Sequence, residues 1–252
     1  MLAQSSDKRR RNRTCSMSLS EMTTIVVLFH TMRGRHFKAF YRGIVCRFMT
    51  CEFPRQLSYT RFVALMPRCA TVLAALFETL KGHCTGLSIA DATPLAVCHN
   101  LRIQRHRVFK DIAQRGKSST GWFYGFKLHA VINHLGELLA IKLTPGNVDD
   151  RKGLLGIASN LFGTMYADKG YIGKEFVQKM KDKGIDLVTR VRKNMKEVMH
   201  SEFDQALLRK RSLVETVFDE LKNLCQIEHT RHRSLMNFAV NLMAGIVAYC
   251  LQ

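Results

Sequence analysis

Acidic side chains are scarce in this chain. Only 20 Asp and Glu stand against 39 Lys and Arg over 252 residues, a net charge of +19. A surplus of that size marks a protein that handles a polyanion, and nucleic acid is a better candidate than an acidic small substrate or a membrane surface. The bland alternative is a basic protein kept soluble by its charge. Also missing is any CxxC pair. The eight cysteines (Cys15, Cys46, Cys51, Cys69, Cys84, Cys98, Cys225 and Cys250) are scattered, which argues against a disulfide framework and for free thiols in a reducing compartment. His83-Cys84 and Cys98-His99 lack the spacing of a structural zinc site. Long apolar runs are lacking too. Ile25 to Phe29 is short, and Phe238 to Leu251 has 14 residues with Asn241 among them, below the roughly 20 that a spanning helix needs. The basic stretch Asp7 to Arg13 is followed by Ser and Thr rather than an apolar core, so no signal peptide is expected and a cytoplasmic location is.

What is present is enough apolar material, 46% of residues, to bury a substantial core. Residues 18 to 80 read as helices: SLSEMTTIVVLFHTM opens on a Ser/Glu capping signal, TRFVALMPRCATVLAALFETLKG has helical periodicity, and Pro54 and Pro67 punctuate them. Residues 1 to 80 carry 13 basic and 4 acidic side chains. A DNA-recognition module and a helical subdomain packed on the core suit this region equally. From Gly86 the period changes. LSIADATPLAV suits a buried strand, WFYGFKLHAVI and ELLAIKLT flank the turn Asn133-His134-Leu135-Gly136 as a hairpin, and TMYADKGYI, GKEFVQKMKDKG and IDLVTRV read as strand, helix and strand. FDQALLRKRSLVETVFDELKNLC reads as one long amphipathic helix. The expected organisation is a basic helical region over residues 1–80 and an α/β unit over 81–252, a mixed sheet flanked by helices.

Asp91 and Asp168 each interrupt an apolar strand, where an unpartnered carboxylate is costly unless it binds a cation. Glu215, on the helix expected to pack on that sheet, makes a third. Three carboxylates suit hard, oxygen-seeking Mg²⁺, and two such ions can drive an in-line phosphodiester displacement. Spacing alone leaves other choices open. Asp219 lies one turn beyond Glu215 on nearly the same face, while Asp149 and Asp150 suit a loop and a helix cap better than a metal. At about 100° per residue, Arg211, Glu215 and Lys222 fall on one face. Lys127 and His129 share one face of the second strand. Trp122 and Tyr124 suit core packing better than base stacking, and His229, Arg231, His232 and Arg233 form a compact cationic segment suited to phosphate.

The blocks DATPLAVCHNLRI, STGWFYGFKLHAVIN, TPGNVDDRK, ADKGY, VRKNMK, LLRKRSLVET and QIEHTRHRS, from about Leu19 to the end, resemble the DDE transposases of bacterial insertion sequences, most nearly the insertion sequence 982 family. The resemblance implies a ribonuclease-H-like catalytic domain with Asp91, Asp168 and Glu215 as catalytic metal ligands. Glu215 lies in R-x3-E-x6-K (Arg211, Glu215, Lys222), and Leu208 stands where related enzymes carry a tyrosine. It also implies two Mg²⁺ ions with Mn²⁺ as a substitute, DNA as partner, and Arg211, Lys222, Lys127, His129, Arg231 and Arg233 as DNA-contacting groups. Strand cleavage at terminal inverted repeats, strand transfer, a homodimer in a synaptic complex and a place at the nucleoid complete the expectation, together with further residues ahead of the basic stretch. An inactive DNA-binding remnant and a nuclease that cuts without joining are the alternatives.

Overall fold

The computed structural model describes residues 15–119, 121–189, 201–228 and 232–252. Helix α1 (Leu19–Thr31) starts where the sequence signals it. Ser18 Oγ accepts from the Glu21 N–H at 3.1 Å and Glu21 Oε2 accepts from the Ser18 N–H at 2.6 Å, so two otherwise orphaned amides are satisfied reciprocally. Helix α2 (Phe37–Phe40) runs through a π-helical turn (Tyr41–Val45) into α3 (Cys46–Phe48). Helices α4 (Tyr59–Leu65) and α5 (Ala70–Leu80) are joined by a 3-10 turn (Met66–Cys69) that holds Pro67 near its start, where a missing N–H costs little. The run Tyr59–Leu80 has the length and apolarity to cross a membrane, yet Phe62, Leu65, Met66, Cys69, Leu73 and Phe77 are buried in the protein's own core.

Six strands follow: β1 (Leu87–Cys98), β2 (Gln114–Ser118), β3 (Gly121–Asn133), β4 (Leu138–Pro145), β5 (Gly163–Ala167) and β6 (Ile185–Thr189). Helix α6 (Asp150–Leu155) separates β4 from β5, and α7 (Lys174–Lys181) separates β5 from β6. β1 is central, antiparallel to β3 on one side and parallel to β5 on the other, with β6 parallel beyond β5. β4 pairs with Phe126–Ile132 of β3, and β2 pairs with Gly121–Gly125. This curled mixed sheet with helices against it is ribonuclease-H-like.

Two elements differ from the sequence reading. β2 (QRGKS) lies in what reads as a basic connection: it has no apolar alternation, and its pairing with β3 rather than its own side chains makes it a strand. The long amphipathic stretch is three pieces, α8 (Glu202–Lys210), α9 (Ser212–Asp219) and a π-helical turn (Glu220–Leu224), broken at Arg211. Its apolar stripe is nevertheless buried at Leu207, Val214, Val217, Phe218, Leu221 and Cys225. Helix α10 (Leu235–Cys250) is the buried terminal helix expected.

Alternation along the strands divides their residues between the two faces of the sheet, while Val97, Tyr124 and Phe126 join a third cluster with Phe109 and Phe238. Ile89, Leu95, Leu128, Ala130, Ile132 and Tyr166 face a large core shared with α1, α5, α9 and α10. Ala90, Val131, Met165 and Ala167 face a smaller one closed by Leu154 of α6 and by Phe176 and Met180 of α7.

Candidate active site

The parallel pairing of β1 and β5 runs from Leu87↔Thr164 to Ala90↔Ala167, and the next residue on each strand is an acid, Asp91 and Asp168. β5 stops there while β1 continues, so the two carboxylates stand where neighbouring parallel strands part. In alternation Asp91 follows Ile89 and Asp168 follows Tyr166, which puts both toward the large core and the C-terminal helices. Tyr166 donates to Asp204 of α8 at 2.8 Å, fixing that helix over β5.

Arg211, at the break between α8 and α9, joins the third acid to the first. Its guanidinium donates to Asp91 Oδ2 at 3.1 Å and to Glu215 Oε1 at 3.2 Å. Glu215 is the more open of the two, with 59% of its side chain exposed against 22% for Asp91. The competing Asp219 instead accepts from Asn223 at 2.6 Å. Burial raises the Asp91 carboxyl from its ordinary value to about 6. The Ala92 N–H and Arg211 oppose that rise, and the negative charges of Asp168 and Asp150 add to it.

Asp149 and Asp150, which the sequence assigns to a loop and a helix cap, take different places. Asp149 caps α6 as expected, accepting from the Arg151 N–H at 2.9 Å, and the Arg151 guanidinium holds its carboxyl down at about 2. Asp150 is then free of capping and stands within electrostatic reach of Asp91. Buried Tyr171 senses the same cluster: burial and the charges of Asp91, Asp150, Asp168 and Asp149 push its phenol well above the usual range, so it stays neutral.

Several expected DNA contacts are placed differently. Lys127 and His129 do share a face of β3, but it is the face opposite Asp91, toward α6. Lys127 donates to Asp150 at 2.9 Å and to the Val148 carbonyl at 3.1 Å. His129 is 1% exposed and bonds Thr144 at 2.8 Å. Burial, assisted by Lys127 and Lys142 against Asp150, lowers its imidazole to about 4, so a direct phosphate contact by His129 is corrected to a buried, neutral packing role. Lys222 faces β1, donating to the Pro94 carbonyl at 2.7 Å and pairing with Glu228 at 3.5 Å. Trp122 is a further correction. Tyr124 is buried as expected, but Trp122 is 53% exposed, with the Arg115 guanidinium 4.9 Å from its ring centroid. His229 and Arg231 lie outside the described residues, while His232 and Arg233 line a cavity beside α10.

The donor set fits a hard divalent cation. Asp91, Asp168 and Glu215 are oxygen donors of the kind such an ion takes, and a bound cation would offset the burial and neighbouring negative charge that raise the Asp91 carboxyl. Among the described residues no three His, Cys, Asp or Glu side chains converge closely enough to hold a metal ion, and Arg211 stands bonded to both Asp91 and Glu215.

Comparison with known proteins adds the family. No curated protein and no solved structure compared with the chain matches it. The profile of the transposase DDE domain matches residues 81–235, a span that contains all six strands, both aspartates and Glu215. That match covers more than half of the 252 residues, and the chain therefore belongs to the transposase DDE domain family, enzymes that act on DNA and use divalent metal.

Proposed function

We propose that this protein is a transposase of the insertion sequence 982 type that cuts DNA at the terminal inverted repeats of its element and joins the exposed 3′ hydroxyls to target DNA. The observation that carries this reading is the placement of Asp91 and Asp168 at the diverging ends of paired parallel strands, with the helix of Glu215 tied to Asp91 through Arg211. Asp91, Asp168 and Glu215 would hold two Mg²⁺ ions, for which Mn²⁺ can substitute. Those ions supply the activation of a water or 3′ hydroxyl and the stabilisation of the leaving oxygen.

The chain's own groups serve the reaction in other ways. Arg211 has a second hydrogen-bonding arm in a forked guanidinium, suited to a phosphate once Glu215 turns toward the acids. Lys127 holds Asp150 at the edge of the cluster and orients it. The exposed ring of Trp122, flanked by Arg115 and Lys117, offers stacking and positive charge to DNA. Residues 1–80 serve as the DNA-recognition part of a homodimer that brings two element ends together, acting on the bacterial nucleoid in the cytoplasm.

The test is incubation of the purified chain with Mg²⁺ and duplexes carrying the element ends. Joined products support the transposase, cutting without joining supports a nuclease, and binding alone supports an inactive remnant. Asp91→Asn is expected to lower product formation by a factor of 10³ or more, on the order of ~4 kcal/mol of barrier, with DNA affinity nearly unchanged. Full activity in that variant would remove Asp91 from the site.

A further inference from the structure

Between β1 and β2 the chain makes a 3-10 turn (Asn100–Arg105) and then a loop pinned to the sheet from beneath. Buried Phe109 meets the Phe126 and Phe238 rings edge-on at 5.7 and 5.2 Å, and the Tyr124 hydroxyl donates to the Phe109 carbonyl at 3.4 Å. Asn100 donates to the Trp122 carbonyl at 2.7 Å, which ties the turn to the β2–β3 hairpin. This scaffold presents Arg102, Arg105, Arg107 and Lys110 to solvent. Arg115 and Lys117 stand beside them at the Trp122 ring, and Lys117 is the direct cross-strand partner of Trp122. Residues 100–118 hold a single acid, Asp111. Among the described residues none of these six cations forms an ion pair, whereas Lys127, Arg151, Arg211 and Lys222, around the acids, are all paired. Apolar groups lie open among the charges: Leu101 is 87% exposed, and Val108 and the Trp122 ring are exposed as well.

We propose that residues 100–117 and the Trp122 ring form a contact surface for single-stranded DNA, an unpaired stretch of the strand that the enzyme acts on. The charge alone would suit any polyanion. The open apolar groups narrow the choice: a duplex keeps its bases stacked inside and offers mainly phosphate and sugar, whereas an unpaired strand offers base faces to an aromatic ring and phosphates to the cations around it. A second copy of this chain is a poor occupant, since its +19 charge has the sign of the surface. Position also favours a strand shared with the acids. Trp122 lies eight residues along β3 from Ala130, the partner of Asp91, and the even spacing puts both on one face of the sheet. At about 3.3 Å per residue their separation is at most ~26 Å, within reach of a strand of on the order of ten nucleotides.

The proposal rests on the reading of the chain as a DNA-acting enzyme, and the experiment separates the two. Trp122 is the one tryptophan in the chain, so intrinsic fluorescence reports on this surface and needs no variant. The full chain is titrated with an oligothymidylate of about 20 nucleotides, longer than the site, and with a blunt duplex of the same length. Base stacking should quench the Trp122 emission with the single strand and leave it nearly unchanged with the duplex. With labelled DNA and anisotropy as the readout, Trp122→Ala should weaken single-strand binding by about fivefold to a hundredfold, and Trp122→Phe should restore most of it. Arg102→Ala combined with Arg105→Ala should lower the slope of log affinity against log salt by about 1.4. Single-strand binding without quenching, equal quenching by the duplex, or wild-type single-strand affinity in Trp122→Ala overturns the surface and leaves the DNA reading intact. Equal quenching by polyglutamate also overturns it, in favour of an acidic polypeptide. Failure to bind either DNA overturns the DNA reading and the surface with it.

Discussion

A single guanidinium, that of Arg211, serves two carboxylates on different elements. Its loss is therefore felt at Asp91 and Glu215 together. Arg211→Met is expected to cost about 1–2 kcal/mol after allowance for partial exposure, read as a lower urea midpoint, and a gain in stability would mean the pairs contribute nothing. His30 makes a different forecast. Fully buried, it bonds the Cys225 carbonyl through Nδ1, and burial lowers its imidazole from 6.5 to about 4. In the unfolded chain it takes up a proton below about pH 6.5, whereas in the fold it resists until about 4. Between those values the unfolded state binds more protons, so stability falls as pH falls through this window and is fully retained above it. His30→Asn keeps a donor for Cys225 and removes the titration, so its thermal midpoint should vary less steeply between pH 6.5 and 4 than that of wild type. An unchanged slope would assign the acid sensitivity to other groups.

At the scale of elements, legibility followed physical cause. Strands that carry their own apolar alternation, such as β1 and β3, and the hairpin turn at Gly136, where φ is +94°, were readable because local chemistry dictates them. β2 was not, since only its neighbour makes it a strand. The long helix was readable as a buried stripe but not as three pieces, because its breaks come from tertiary anchors: Arg211 reaching Asp91 and Lys222 reaching Pro94. Asp91 and Asp168 stood out as acids inside strands. Glu215 was preferred over Asp219 by the face it shares with Arg211 and Lys222 together with the resemblance, and only the fold shows Asp150 near Asp91 and paired with Lys127. Close approach of β3 to β1 is set by Gly125, where a Cβ would stand 2.1 Å from the Leu95 carbonyl oxygen. Gly125→Ala should therefore cost about 3 kcal/mol or more, seen as a large drop in thermal midpoint. At α1, Ser18→Ala removes one half of the capping box and should cost about 1 kcal/mol. Indifference to either change would contradict the packing described.

For the whole molecule, charge and core pull in separate directions. The +19 surplus repels itself in the compact state and finds its compensation on DNA, so duplex affinity should fall steeply as salt rises. If about six phosphates are neutralised, a change from 50 to 200 mM salt should weaken binding by roughly 10³, measured by fluorescence anisotropy. A flat salt response would exclude a backbone-led contact. The core, by contrast, joins partners far apart in the chain. α10 packs against both α1 and α5, and its Val240, Ala244 and Val247 fill the same large core as Ile25 and Leu73. During synthesis the apolar faces of α1 and α5 must wait for α10 to leave the ribosome before they are covered. A copy of the gene interrupted anywhere ahead of α10 thus encodes a chain with those faces bare, prone to aggregation and proteolysis, and such a product would be cleared before it could compete with intact enzyme for DNA.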